Sequence, residues 1–139
     1  MRVWAFGIAV IAALSAVYLM WPAGAVTTPP SEKAALATVV LPEALSERAQ
    51  MGKTAFEAKC AVCHGADAAG QAGVAPPLIH KIYEPSHHGD EAFQRAASMG
   101  VRAHHWPFGD MPPVTGLTRA DVEMIVAYIR EVQRANGIN

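Results

Sequence analysis

The chain has 139 residues and a formal net charge of −1, which leaves room for one domain of ordinary size. From Val26 onward, ten Lys and Arg residues face twelve Asp and Glu residues, a net charge of −2. With no basic stripe, the composition argues against nucleic acid as a partner. From Val26 onward the chain holds few aromatic residues and much Ala, Gly and Pro, so we expect a thin core. Domains of this kind often need a covalent staple or a cofactor to close.

Residues 3–21 are almost wholly apolar and follow a single cation, Arg2. As a helix this run would span about 28 Å, close to the thickness of a bilayer core. The positive-inside rule keeps Arg2 in the cytoplasm, so we expect the rest on the periplasmic side of a bacterial inner membrane. Residues 1–25 are predicted to be a signal-anchor or a signal peptide. Ala23-Gly24-Ala25 favours cleavage and the length of the run favours a retained anchor, so both interpretations stay open.

Residues 26–42 form a Pro/Ala/Thr-rich stretch that is predicted to be a linker, with the domain following over residues 43–139. Ser46 is a possible N-cap for a helix that reaches Cys60. Along this helix a set of residues at helical spacing is predicted to face the core. These residues are Leu45, Ala49, Gly52 and Phe56.

The rest of the domain alternates loops rich in Gly and Pro with two helices. The loop of residues 65–89 has room for one short turn near residues 79–83. Asp90 is expected to cap a helix that ends at Gly100, and a second loop covers residues 101–116. The last helix begins at a capping box, Thr118 to Asp121, and Arg130 lies toward its C-terminal end, where the helix dipole favours cations. The predicted fold class is all-α.

The two cysteines, Cys60 and Cys63, are only three residues apart, so a disulfide between them would restrain almost nothing. Followed by His64, they form C-x-x-C-H, the attachment motif for c-type haem. This spacing lets two thiols form thioethers with the two vinyl groups of one porphyrin while the histidine binds iron. A thioredoxin-like pair would need a βαβ pattern, and a zinc site would need two further ligands. We therefore expect one covalent haem c.

Further residues occur in an order that is typical of one family. Gly52 and Phe56 precede the first cysteine, Pro76-Pro77-Leu78 follows the histidine, and Tyr128 lies on the last helix. This pattern resembles the class I c-type cytochromes, over about residues 43–139. The resemblance implies that the last helix crosses the first against Gly52. It also implies that the Pro76 carbonyl accepts a hydrogen bond from His64, which would orient the iron ligand.

The second axial ligand decides between electron transfer and ligand chemistry. The candidates are Met99, Met111, Met124, His80, His87, His88, His104 and His105. Met99 and Met124 lie in predicted helices, where packing is the ordinary role of methionine. Met111 is preferred because prolines follow it at once and stiffen its loop, and the resemblance places the family's distal methionine before a proline. The pair His104-His105 remains the competitor.

Other residues near this loop have weaker assignments. Trp106 and Arg102 could each donate to a haem propionate, although packing and solvation explain them equally well. His87-His88 could form a small surface metal site with neighbouring residues, and the pair is left unassigned.

The expected function is that of an electron carrier rather than an enzyme, shuttling one electron between a transient redox donor and acceptor. His64 and Met111 would fill both axial positions of the iron, which suits one-electron transfer with little rearrangement. Possible membrane anchoring through residues 3–21 would confine the domain to the membrane plane. The alternatives are a haem-based sensor of small ligands, a haem subunit of a larger oxidase or dehydrogenase, and a non-haem thiol or metal module.

Overall fold

Helices and short 3₁₀ turns make up the part of the chain that the computed structural model describes, residues 33–139. The helices are α1 (Glu47–Lys59), α2 (Ala61–His64), α3 (Asp90–Met99) and α4 (Arg119–Ala135). Two 3₁₀ turns lie between them, at Ala66–Ala68 and Lys81–Tyr83. Within these residues extended pairing is limited to two isolated bridges, so the prediction of an all-α domain is confirmed there.

The apolar segment of residues 3–21 lies outside the described residues, and so does the rest of the predicted signal or anchor. Between residues 33 and 139, none of the helices combines the length and the apolar character that a membrane crossing requires.

Helix ends in the domain follow the chemistry of their caps. The Ser46 side chain accepts a hydrogen bond from the Ala49 N–H and begins α1 as predicted. Thr118 and Asp121 form the predicted capping box at the start of α4. At α3 the N-cap is Gly89 rather than Asp90, which is the first helical residue. The prediction of Asp90 as a cap was wrong because its carboxylate binds a distant arginine on α4 instead.

The core forms where α1 crosses α4, the most extensive contact between helices in the domain. Phe56 of α1 and Tyr128 of α4 are both fully buried, and their ring centroids lie 5.6 Å apart. A side chain at Gly52 would overlap the backbone of Met124, so the two helices approach as closely as glycine allows. The crossing implied by the family resemblance is therefore present.

Replacing Gly52 with alanine is expected to lower the free energy of unfolding by about 3 kcal/mol, because the new methyl group must push apart two helix backbones. The gain in helix propensity, about 1 kcal/mol, does not offset this loss. Denaturant unfolding of the haem-loaded protein measures the change.

Gly89→Ser serves as the matched control, since a Cβ at Gly89 meets only an ordinary contact with the Pro85 carbonyl. Serine is also a better N-cap than glycine, so this variant should be as stable as the wild type or slightly more stable. Equal stability of the Gly52→Ala variant and the wild type would show that the helix crossing is looser than described.

The described part of the predicted linker lies against the domain. The N–H groups of Leu36 and Ala37 both donate to the Ala69 carbonyl. Val40 exchanges two hydrogen bonds with the side-chain amide of Asn136, at 2.9 and 2.8 Å. Residues 36–40 of the predicted linker therefore pack against the domain through backbone and side-chain hydrogen bonds.

A buried arginine joins α4 to the turn before α3. Arg130 is only 8% exposed, and its guanidinium donates to the carbonyls of Tyr83 and His88 at 2.6 Å each. It also donates to the Gln133 side chain and forms an ion pair with Asp90 at 2.9 Å. The predicted interaction of Arg130 with the helix dipole was therefore an incomplete account. Its side chain is buried and holds the turn of residues 83–88 through hydrogen bonds.

Candidate haem-attachment site

The two cysteines lie where α1 passes into α2. Cys60 is the C-cap of α1 and the N-cap of α2, so one helical turn separates it from Cys63. Both are free thiols, Cys60 half-buried and Cys63 exposed. Burial, and to a lesser degree the neighbouring Cys63, raise the pKa of Cys60 to about 11, so its thiol is protonated at neutral pH. Because neither cysteine is in a disulfide, both thiols can form thioether bonds.

His64 ends α2 and is held at three points. Its N–H donates to the Cys60 carbonyl at 2.9 Å, and its own carbonyl accepts from the Gly70 N–H at 2.7 Å. Its ring Nδ1 lies 2.9 Å from the Pro76 carbonyl, which makes Nδ1–H the donor. The neutral ring then carries its free lone pair on Nε2, the form that binds a metal.

Burial of the imidazole supports the same neutral form. His64 is 8% exposed, and its loss of solvation lowers the pKa of the ring more than the Pro76 hydrogen bond raises it. The ring is thus neutral at physiological pH, as an iron ligand must be.

The loop after His64 brings the proline carbonyl to the ring. Gly70 adopts a φ of +75°, and a side chain there would collide with the backbone at Pro76 and Pro77. Asp67 and Ala68 also have positive φ values, and the Ala68 carbonyl accepts the Leu78 N–H at 2.8 Å. This tight path explains how a residue twelve positions along the chain reaches His64.

Met111 is fixed by its backbone in the second loop. Its N–H and carbonyl both pair with those of Val101, at 2.9 Å each way. Gly100 lies so close to the Met111 carbonyl that a side chain would not fit between them. Within the loop, the Asp110 carboxylate accepts the Ala103 N–H at 2.8 Å. The methionine is half-buried, and its loop is closed at both ends.

The competing methionines are placed differently. Met99 is 66% exposed at the end of α3, so the expectation that it packs in the core was wrong. The α3 helix ends there and turns its last residue outward. Met124 lies half-buried on α4, where its backbone faces Gly52.

The histidines outside the motif make other contacts. His80 accepts the Ile82 N–H through Nδ1 and caps the 3₁₀ turn. His104 donates from Nδ1 to the Arg102 carbonyl at 2.8 Å. His105 faces His87, with a separation of 3.4 Å between their Nε2 atoms. The competing pair therefore gathers with other histidines rather than lying alone in its loop.

Trp106 has a buried indole N–H without a hydrogen-bond acceptor in the described residues. Its Nε1 is buried and has no hydrogen-bond partner of ordinary geometry within residues 33–139. Burial raises the pKa of the nearby Tyr83 phenol, and the Trp106 indole offsets part of that rise. Arg102 is exposed. An unpaired, buried N–H donor fits the predicted hydrogen bond from Trp106 to a haem propionate.

Two free thiols three residues apart and a neutral, buried imidazole beside them are the chemistry that covalent haem attachment requires, so the residues present fit haem c. A helical domain with such a site is a haem-binding domain of the c type. The cytochrome c family model matches residues 49–133, more than half of the chain. The chain belongs to the cytochrome c family, which implies covalently bound haem c and a role in electron transfer. The comparisons with curated proteins and with solved structures found no match.

Sequence reasoning identified the motif and the proline but missed the residues that hold them. The Gly70 N–H and the Ala68 carbonyl shape the loop around His64, and Arg130 secures the turn at Tyr83. The glycines of residues 65–73 were a usable signal for a tight loop. A lone arginine on an amphipathic helix carried no signal of burial.

Proposed function

We propose that this protein is a class I, monohaem electron carrier whose iron is ligated by His64 and Met111. It would pass single electrons between transient redox partners on the periplasmic side of a bacterial inner membrane. Residues 3–21 would either anchor it there or be removed with a signal peptide. The hydrogen bond from His64 Nδ1 to the Pro76 carbonyl is the single observation that carries this proposal, because it prepares Nε2 for iron.

Bound haem c supplies a one-electron Fe(III)/Fe(II) couple. Cys60 and Cys63 hold the ring covalently, and His64 donates from a neutral, oriented nitrogen. Met111 would supply a thioether ligand, which favours the ferrous state and raises the reduction potential relative to two imidazoles. If His64 and Met111 both held the iron, neither oxidation state would require a change of ligand, which would suit rapid transfer.

The position of Met111 supports a closed iron rather than one open to small ligands. The N–H and the carbonyl of Met111 both pair with Val101, and Pro112 restricts the backbone of Met111, the residue before it. Little entropy is lost when such a side chain is held on a metal. The near-neutral surface provides no strong steering field, so encounters with partners would be brief and small in area.

Optical spectra of the oxidised and reduced haem-loaded protein, with and without carbon monoxide, test the proposal. The wild type should show a covalent haem spectrum, the long-wavelength band of thioether-bound Fe(III), and little uptake of carbon monoxide at neutral pH. Met111→Ala should lose that band and bind carbon monoxide readily, because the sixth position opens.

Met99→Ala is the matched control, since Met99 is exposed at the end of α3 and lies outside the proposed ligand set. Its spectra should equal those of the wild type. Retention of the thioether band in Met111→Ala would remove Met111 from the iron. Rapid carbon monoxide binding by the wild type would instead favour a sensor of small ligands.

A further inference from the structure

A cluster of histidines lies where the turn after Tyr83 meets the loop before Met111. In three of them, His87, His88 and His105, one ring nitrogen from each residue lies within 4.8 Å of the others. His87 and His105 are exposed and His88 is half-buried. None of the three is a haem ligand in the proposed function, so the cluster needs an explanation of its own.

The spacing of two of these nitrogens matches a shared ion. Nε2 of His87 lies 3.4 Å from Nε2 of His105, which is long for a hydrogen bond between nitrogens. Two imidazole nitrogens bound to one zinc ion at about 2.0–2.1 Å, with a tetrahedral angle between them, are themselves about 3.4 Å apart. The two rings already have the separation that coordination requires.

His88 is prepared to be a third ligand. Its Nδ1 lies 2.7 Å from the Ile82 carbonyl, so Nδ1–H donates and Nε2 keeps its lone pair. A carbonyl acceptor behind the ring is the usual arrangement for a histidine that binds a metal. The ring also packs against Tyr83, with centroids 5.2 Å apart.

The two segments that carry the ligands are each tied to the fold. His88 donates its backbone N–H to the Glu84 carbonyl at 2.8 Å and accepts from the buried guanidinium of Arg130. The loop of His105 is closed by the pairing of Val101 with Met111. Because both segments are already held in place, little conformational entropy is lost when the three rings bind a metal ion.

We propose that His87, His88 and His105 form a binding site for one divalent transition-metal ion of the zinc and copper class. Neutral imidazoles suit these ions, and the general order of affinities places Cu²⁺ above Zn²⁺. Solvent completes the coordination, since His104 lies outside the group of three. A bound ion links the turn of residues 84–89 to the loop that carries Met111.

The test uses the haem-loaded, tag-free protein, stripped with chelator and titrated with Zn²⁺ alone and with Cu²⁺ alone. Calorimetry should give one saturable site for Zn²⁺, and electron paramagnetic resonance of the Cu²⁺ form should show nitrogen couplings. His87→Asn and His105→Asn should each raise the Kd for Zn²⁺ by about 100-fold or more. Losing only the hydrogen-bond acceptor of a metal-binding histidine already lowers metal affinity by up to about 100-fold, and these variants lose the ligand itself.

His104→Asn is the matched control, because His104 is an exposed neighbour outside the group of three. It should raise the Kd by less than about tenfold, and the haem spectra of all three variants should equal those of the wild type. Absence of a saturable site, or a His104→Asn loss as large as that of His105→Asn, would overturn the assignment. So would a changed haem spectrum in His105→Asn, which would place that residue on the iron.

Discussion

Replacing both Cys60 and Cys63 with serine is expected to yield a protein without covalent haem and without a cooperative fold. Serine hydroxyls do not form the thioethers, and the small core then lacks the ring that completes it. Binding of a cofactor to the folded state alone stabilises that state, so its loss removes the stabilisation entirely. After expression with a functional cytochrome c maturation system, the mass of the denatured protein and its Soret absorption measure attachment. Far-ultraviolet circular dichroism against temperature measures folding.

Val62→Ala is the control for this experiment, because Val62 lies between the two cysteines and is 75% exposed. It should keep the haem and the thermal transition of the wild type. Single Cys60→Ser and Cys63→Ser variants should retain at most one thioether bond and unfold at lower temperature than the wild type. A double variant that folds cooperatively without haem would contradict the role of the ring in the core.

Arg130→Met is expected to lower the free energy of unfolding by about 3 kcal/mol, the largest loss we expect outside the haem site and the helix crossing. Methionine fills a similar volume but donates no hydrogen bond. The Tyr83 carbonyl keeps a second donor, the amide of Gln133 at 3.1 Å. The His88 carbonyl and the Gln133 side-chain oxygen each lose the guanidinium as a donor. Asp90 is mostly exposed, so its released charge adds little. Denaturant unfolding of the haem-loaded protein gives the change.

Arg134→Met is the matched control, since Arg134 lies on the same helix and is exposed. We expect its stability to stay close to that of the wild type. Arg130→Lys should fall between the two, because lysine keeps the charge but lacks the planar fork that reaches two carbonyls. If Arg130→Met and Arg134→Met were equally stable, the hydrogen bonds of the buried guanidinium would contribute nothing net.

Several local features were predictable because they depend on residues close together in the chain. Ser46 and the pair Thr118 and Asp121 cap their helices through side chains that reach only three residues. Gly100 ends α3 with a φ of +77°. The hydrogen bond from His64 to Pro76 followed from the family resemblance rather than from spacing.

Features that depend on distant parts of the chain were not predictable in the same way. The exposure of Met99 depends on where α3 ends relative to the core. The contact of residues 33–42 with the domain depends on Ala69 and Asn136, far along the chain. Sequence periodicity shows which face of a helix is apolar but not which residues meet that face.

The sequence by itself determined the chemistry of the site, since C-x-x-C-H is an attachment motif defined by five consecutive residues. It also determined the Ser46 and Thr118 caps, which depend on local hydrogen bonds. Only the tertiary structure decided that Arg130 is buried against two loop carbonyls, and that His87 and His105 face each other across separate loops. The physical reason is that burial and convergence depend on how the helices cross. That crossing depends on close contacts between residues more than seventy positions apart, such as Gly52 and Met124.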